Sequence, residues 1–155
     1  QVLEMSPMRS GHATATMLVA QAIERIRPAG YFSRVQLPLS VSDISDPEPD
    51  VAVITGAIRD YTDAHPHTAA LVVEVADSSL DYDRTEKASL YASAGVQEYW
   101  VVNLPQQRLE VFRSPIEDAS QPFGFGYASR RILTGDESIQ PLLAPASLSV
   151  AELLP

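Results

Sequence analysis

Two carboxylates and one ammonium stand at positions where the local sequence makes a charge costly. Glu74 lies inside the apolar run Leu71-Val72-Val73-Glu74-Val75-Ala76, and Asp50 directly precedes a second run, Val51-Ala52-Val53-Ile54. A carboxylate in a buried strand needs compensation, supplied by a basic side chain or by a hard divalent cation held through oxygens. Lys87 is the only lysine in the chain, every other base being arginine. It follows Glu74 by one short loop, and Asp83, Lys87 and Tyr91 recur at four-residue spacing on one helix face. Plainer readings stand beside these. Asp50 fits a turn acid at a strand entry. Asp83 opens the capping-box pattern Asp83-Arg84-Thr85-Glu86, and an exposed Asp83–Lys87 pair would contribute only ~0.3–0.5 kcal/mol.

Composition bounds what such residues can belong to. The 155 residues are 45% hydrophobic and 20% charged, which suits one soluble domain spanning 1–155. The chain has no cysteine, which excludes a disulfide scaffold, a thiolate metal site and a cysteine nucleophile. No apolar run approaches the ~18 residues of a membrane span, and a cytoplasmic location is expected. Gln1 at the first position implies that the natural start is missing. The net charge of −9 argues against non-specific nucleic-acid binding. That charge is local: between Asp43 and Glu86 lie 11 acids and two bases, while the remainder is balanced.

The elements that must position these residues follow from periodicity. Residues 11–27 carry apolar side chains at three- and four-residue spacing and predict a helix that Pro28 and Gly30 end. Residues 31–39 predict an edge strand, 40–49 a loop, and 51–55 and 71–75 two short buried strands. Asp77, Ser78 and Ser79 predict a turn, and residues 84–94 a helix with Gly95 at its C-cap. Residues 98–103 and 108–113 predict a hairpin around a four-residue loop. Residues 126–133 suggest a further strand, and 147–154 a short terminal helix or strand. The order α-β-β-β-α-β-β predicts a mixed α/β fold, a mixed sheet flanked by helices.

The run Pro49-Asp50, Glu74-Val75, Ser79, Asp83, Lys87, Tyr91-Ala92, Gly95-Val96 and Glu98-Tyr99-Trp100-Val101-Val102 resembles a bacterial family expanded in cyanobacteria, once classed only as a domain of unknown function. Its members are restriction-endonuclease-like proteins of the PD-(D/E)XK nuclease superfamily. Met5-Ser6-Pro7 and His12 match the family's usual opening, so the resemblance spans nearly the whole chain. It implies a restriction-endonuclease-like core in which Asp50 is the Asp of the Pro-Asp motif and Glu74 the acid of the (D/E)XK motif. Together they would hold Mg²⁺ or Mn²⁺. Position 76 is Ala where the superfamily usually has Lys, and Lys87 takes the place that the family gives its lysine on the following helix. Asn103, where the family often has Asp, is a second departure and reads as peripheral to catalysis.

The resemblance implies an endonuclease that hydrolyses DNA phosphodiesters through a metal-activated water, with Asp50, Glu74 and Lys87 as catalytic residues and no organic cofactor. His12, Glu24 and Asp83 are candidate accessory groups. Twelve residues at ~100° each put Glu24 ~120° from His12, so both cannot face one site squarely. His65 and His67 read as loop residues without a third ligand at matching spacing, and Tyr99 and Trp100 as packing residues. Arg130, Arg131, Arg25 and Arg27 are the candidates for phosphate contacts. DNA is the expected partner, bound weakly and with the metal's help, and a homodimer through an exposed sheet edge would allow both strands to be cut. Two alternatives stay open: a nuclease-like fold kept as a binding or assembly module, and an acidic interaction domain. They are separated by geometry, since hydrolysis requires Asp50 and Glu74 on the same face of the sheet.

Overall fold

The computed structural model describes residues 9–155, so Met5-Ser6-Pro7 lies outside the described residues. The helix read from the apolar spacing is α1, Ser10–Ile26, whose Ala15, Val19, Ala22 and Ile23 form its buried stripe. Arg27 leaves helical geometry just before Pro28. Strands β1 (Tyr31–Val35), β2 (Val51–Thr55), β3 (Leu71–Ala76), β4 (Glu98–Asn103), β5 (Arg108–Glu117) and β6 (Phe125–Thr134) form one six-stranded sheet in sequence order. Among the described residues only β3 and β4 pair in parallel. A parallel pair requires a crossover, and residues 80–93, labelled α2, provide it. This segment is helical in three stretches: α-helical Leu80–Tyr82, π-helical Asp83–Lys87 and α-helical Ala88–Ser93. The two-residue strands β7 (Ser138–Ile139) and β8 (Leu148–Ser149) make a separate ribbon, followed by the 3₁₀ turn Val150–Leu153.

The strands of the centre are buried on both faces, and period-two alternation decides which residue meets which helix. Val51, Val53, Val73, Val75, Trp100 and Val102 face α1 and the C-terminal turn. Ala52, Ile54, Val72, Ala76, Tyr99, Val101 and Phe112 form the other core, against Ala88 and Tyr91 of α2. Tyr99 and Trp100 are fully buried, as packing residues should be. Trp100 Nε1 donates to Glu98 at 2.9 Å, and the same buried carboxylate receives Arg113 and the Leu142 backbone.

Two expected boundaries shift for a local reason. The strand expected over 31–39 stops at Val35 because Gln36 adopts a left-handed φ of 54° and donates its backbone N–H to Pro49 and Asp50 carbonyls. The crossover helix starts at Leu80, four residues before the expected start at 84, with Ser79 at the N-cap position. Asp83 is therefore not a cap but an internal, buried residue of the helix. At the far end Gly95, at φ 81°, accepts the left-handed conformation that the C-terminal turn requires. The 126–133 segment is a strand of ten residues, and the terminal segment is strand and then turn.

Helix α2 is fastened to the sheet through Glu110 on β5. Arg84 forks onto this carboxylate through Nε at 2.8 Å and Nη2 at 2.5 Å, while Arg130 Nη2 and Asn103 Nδ2 add bonds at 2.9 and 3.0 Å. Burial opposes ionisation of Glu110, but these donors outweigh it and hold the carboxyl down at about 2. Because the folded pKa is depressed, the stabilisation is present above the ordinary carboxylate range and is lost as pH falls toward 2. From an ordinary value of 4.5 the shift is worth on the order of 3 kcal/mol at neutral pH. Denaturant unfolding should therefore show wild-type stability falling between about pH 4.5 and pH 2. Glu110→Gln should be less stable at pH 7 and lose much of that acid dependence; parallel pH profiles for the two proteins would refute the assignment.

Candidate active site

Asp50 stands one residue before β2 and Glu74 in the middle of β3. The β2–β3 register, Val51 opposite Val73 and Ala52 opposite Val72, sets Asp50 opposite Glu74. Paired residues share a face, so both carboxylates emerge on the α2 side of the sheet. They are laced together through backbone: Val75 N–H donates to Asp50 Oδ2 at 2.8 Å, and Asp50 N–H donates to Glu74 Oε1 at 3.3 Å. Relative exposure is only 9% for Asp50 and 3% for Glu74.

The partners of this pair come from three other elements. Lys87 Nζ donates to Glu74 Oε2 at 2.9 Å, and Tyr91 Oη donates to the same oxygen at 2.7 Å. Asp83 lies under the same turn, with Oδ1 4.0 Å from Lys87 Nζ and Oδ2 accepting from Ser79 Oγ at 2.7 Å. The Asp83–Lys87 contact is thus buried under the helix, not displayed on an exposed face. From α1, His12 Nε2 approaches Asp50 Oδ2 to 3.3 Å, and from the turn after β1, Gln36 Nε2 approaches Oδ1 at 3.4 Å. The π-helical stretch widens the turn that carries Asp83 and Lys87, a deviation common at functional sites.

Charge at the site is unbalanced. Burial drives the Glu74 carboxyl up to about 7; Lys87 and Tyr91 pull it down, and Asp50 pushes it further up. Burial and the neighbouring Asp50 also raise Asp83, against Ser79 and Lys87. Burial lowers Lys87, but Glu74, Asp83 and Asp50 more than compensate and keep its ammonium above the usual range. Three buried acids therefore face one lysine.

This surplus suits a hard cation. One oxygen of each carboxylate, Asp50 Oδ1 and Glu74 Oε1, holds only a contact of 3.3–3.4 Å and keeps acceptor capacity. Among the described residues no group of three or more His, Asp or Glu forms a closed metal cage. Mg²⁺ is compatible with that, since it commonly takes one or two carboxylates and keeps waters.

Other expected residues fall elsewhere. Glu24 does not join the site: it is 12 residues, or ~18 Å, along α1 from His12 and pairs with Arg27 on the surface. Arg25 pairs with Glu152. His65 meets Arg34 Nη2 at 3.1 Å and His67 the Ser40 carbonyl at 2.9 Å, both in loops. Tyr91 and Gln36 belong to the site and were not among the expected groups. Four-residue spacing from Lys87 already aligned Tyr91 with it, whereas nothing in the sequence signalled the left-handed turn that brings Gln36 inward.

A mixed sheet with two facing carboxylates at its centre and a lysine on the parallel crossover defines a restriction-endonuclease-like domain. The chain belongs to the Uma2 family, described as "Putative restriction endonuclease", whose model matches residues 1–152. Its fold is similar to the crystal structure of "a putative nuclease belonging to DUF820" from Anabaena variabilis, with a TM-score of 0.65 at 12% identity, covering 99% of this chain and 85% of that one. No curated protein matches it. Among the described residues no helix is long and apolar enough to cross a membrane.

The opposing influences on Glu74 can be separated by substitution. In ¹³C NMR titrations of the glutamate side-chain carboxyl, Lys87→Met should raise the Glu74 midpoint above its wild-type value near 7. Asp50→Asn should lower it. Shifts of the same sign in both variants would contradict the charge arrangement.

Proposed function

We propose that the chain is a divalent-cation-dependent endonuclease that hydrolyses phosphodiester bonds of DNA. The observation that supports this most directly is the meeting of Asp50 and Glu74 on one face, with the sole lysine on Glu74 Oε2 at 2.9 Å. Family membership supports the nuclease class.

In this reading Asp50 and Glu74 hold Mg²⁺ or Mn²⁺. When bound, the ion polarises a phosphodiester oxygen and lowers the pKa of a coordinated water. The chain's own residues supply the rest. Lys87, kept protonated by Glu74 and Asp83, offers an N–H donor for the charge that develops on the phosphoryl oxygens. Tyr91 holds Glu74 Oε2 from the side and so fixes the direction of the carboxylate's other oxygen. Val75 N–H and His12 meet Asp50 Oδ2 in the same way and so leave Oδ1 to the longer contact from Gln36. The acidity that argued against nucleic acid then becomes a requirement for the cation before a phosphate can approach. DNA binding should accordingly be weak without the ion and tighter with it.

Nicking of supercoiled plasmid and cleavage of single-stranded DNA in Mg²⁺ or Mn²⁺ test the proposal. Asp50→Ala, Glu74→Ala and Lys87→Ala should each lower the rate by about 10²-fold or more. Equal cleavage by wild type and all three variants would mean a contaminating nuclease and refute the assignment. Cation binding should also depend on pH, because Glu74 must lose its proton to act as a ligand. With a carboxyl near 7, calorimetry should show Mn²⁺ bound about tenfold more tightly at pH 8 than at pH 6. Glu74→Gln should flatten that dependence; an unchanged slope in the variant would remove Glu74 from the ligand set.

A further inference from the structure

Around Glu110 the sheet gathers more positive charge than one carboxylate can hold. Arg84 and Arg130 bond to it directly. Arg108 Nε pairs with Glu110 Oε2 at 3.7 Å, outside hydrogen-bond range, and is buried without a hydrogen-bond partner among the described residues. Both Glu110 oxygens are already engaged, by Arg84 and Arg130 at one and by Arg84 and Asn103 at the other. Three guanidiniums face one carboxylate, with Asp81 acting on Arg84 from farther off, so positive charge is locally in surplus within a chain of net charge −9.

The three arginines are not equivalent. Arg84 is committed to its fork on Glu110 and fastens α2. Arg108 and Arg130 have side chains 26% and 43% exposed and keep unshared N–H donors toward solvent. Arg130 is further oriented by the Phe112 ring, 5.8 Å from its guanidinium carbon. A guanidinium already oriented loses little freedom on binding, and its planar fork matches a phosphate.

The position of this cluster points to its ligand. Glu74 is opposite Val101 and Val101 is opposite Glu110, so both glutamates lie in one row on the α2 face, two strands apart. At ~4.8 Å per strand the separation is roughly 10 Å. A DNA strand winds around its axis, so its successive phosphates are farther apart than the ~3.4 Å axial rise, and ~10 Å spans no more than neighbouring phosphates. Residues 80–93 link the two places, setting Lys87 on Glu74 and Arg84 on Glu110.

We infer that Arg108 and Arg130, seated on Glu110, form a docking subsite for a backbone phosphate of the nucleic-acid strand that neighbours the phosphodiester at Asp50 and Glu74. This rests on the nuclease reading for the identity of the strand. The subsite makes no base contact, so it contributes affinity and register without sequence preference.

Fluorescence anisotropy with a labelled DNA oligonucleotide tests it, with Ca²⁺ in place of Mg²⁺ and salt varied from 50 to 200 mM. The double variant R108Q/R130Q should raise Kd at least fivefold and make the plot of log K against log salt shallower by about one to two. R108K/R130K, which keeps the charge, should retain the wild-type slope, whereas R25Q, at an arginine paired with Glu152, should change nothing. Melting curves establish that each variant folds, and R130Q alone, at the more exposed side chain, substitutes for the double variant if that one does not. Wild-type Kd and slope in folded R108Q/R130Q would overturn the inference. So would cleavage that Glu74→Ala abolishes but whose KM is unaffected by R108Q/R130Q, and that result would leave the nuclease reading intact. Arginine-dependent binding by a chain that does not cleave would uphold the subsite and refute the nuclease reading. No DNA binding by the wild type would overturn both.

Discussion

Glu74 occupies a central strand between Val73 and Val75 with 3% exposure, and a carboxylate there must be answered from outside the sheet, because its strand neighbours are hydrocarbons. The answer comes from above, since the α2 face is the one Glu74 points to. Lys87 and Tyr91 meet one of its oxygens, and the Asp50 backbone meets the other. Removing this acid would leave a half-buried ammonium and a buried phenol without their hydrogen-bond acceptor; removing the lysine would leave a carboxylate that burial already drives toward its neutral form. The α2 crossover, its widened turn and the β2–β3 register together bring these partners to this one group.

A second carboxylate repeats the arrangement two strands away, where Arg84 of the same helix forks onto Glu110. The two attachments differ in surplus charge. Acids outnumber the lysine at Glu74, and arginines outnumber the acid at Glu110. One helix thus bridges a negative and a positive cluster on a single sheet face, and its position sets both at once. A chain of strongly negative net charge can in this way present cations locally without a basic surface.

Much of this arrangement was readable from residues alone. Apolar runs located β2 and β3, three- and four-residue spacing located α1, and the oddity of a single lysine singled out Lys87. Boundaries were less readable where conformation is set by tertiary bonds. Gln36 turns left-handed because two carbonyls of the chain returning into β2 receive its N–H, a partner ~14 residues on that no local pattern encodes. Asp83 follows the same logic: Asp83-Arg84-Thr85-Glu86 has the form of a cap, but Leu80 packs against the core and the helix begins there, a turn earlier. Glu110 gave no signal, being one acid in an alternating strand, until the sheet set Arg84, Arg108 and Arg130 around it. Arg130 and Arg131 are adjacent in sequence, yet strand alternation sends them to opposite faces, and only one joins the cluster.

Ala76 follows Glu74 by two residues and is fully buried in the core beneath α2, beside Tyr99 and Val101. A side chain at this position points to the same face as Glu74, which is where a strand-borne lysine would direct its ammonium. Its long stem would have to enter the volume that Ala88 and Tyr91 now fill, so close packing of this helix and a lysine at 76 are mutually exclusive. Three features go together here: a small residue on the strand, a helix set low over it, and an ammonium carried by the helix itself. The place of Lys87 and the packing distance of the crossover are linked in this fold, because the small residue at 76 is what lets the helix that carries Lys87 lie close to the sheet.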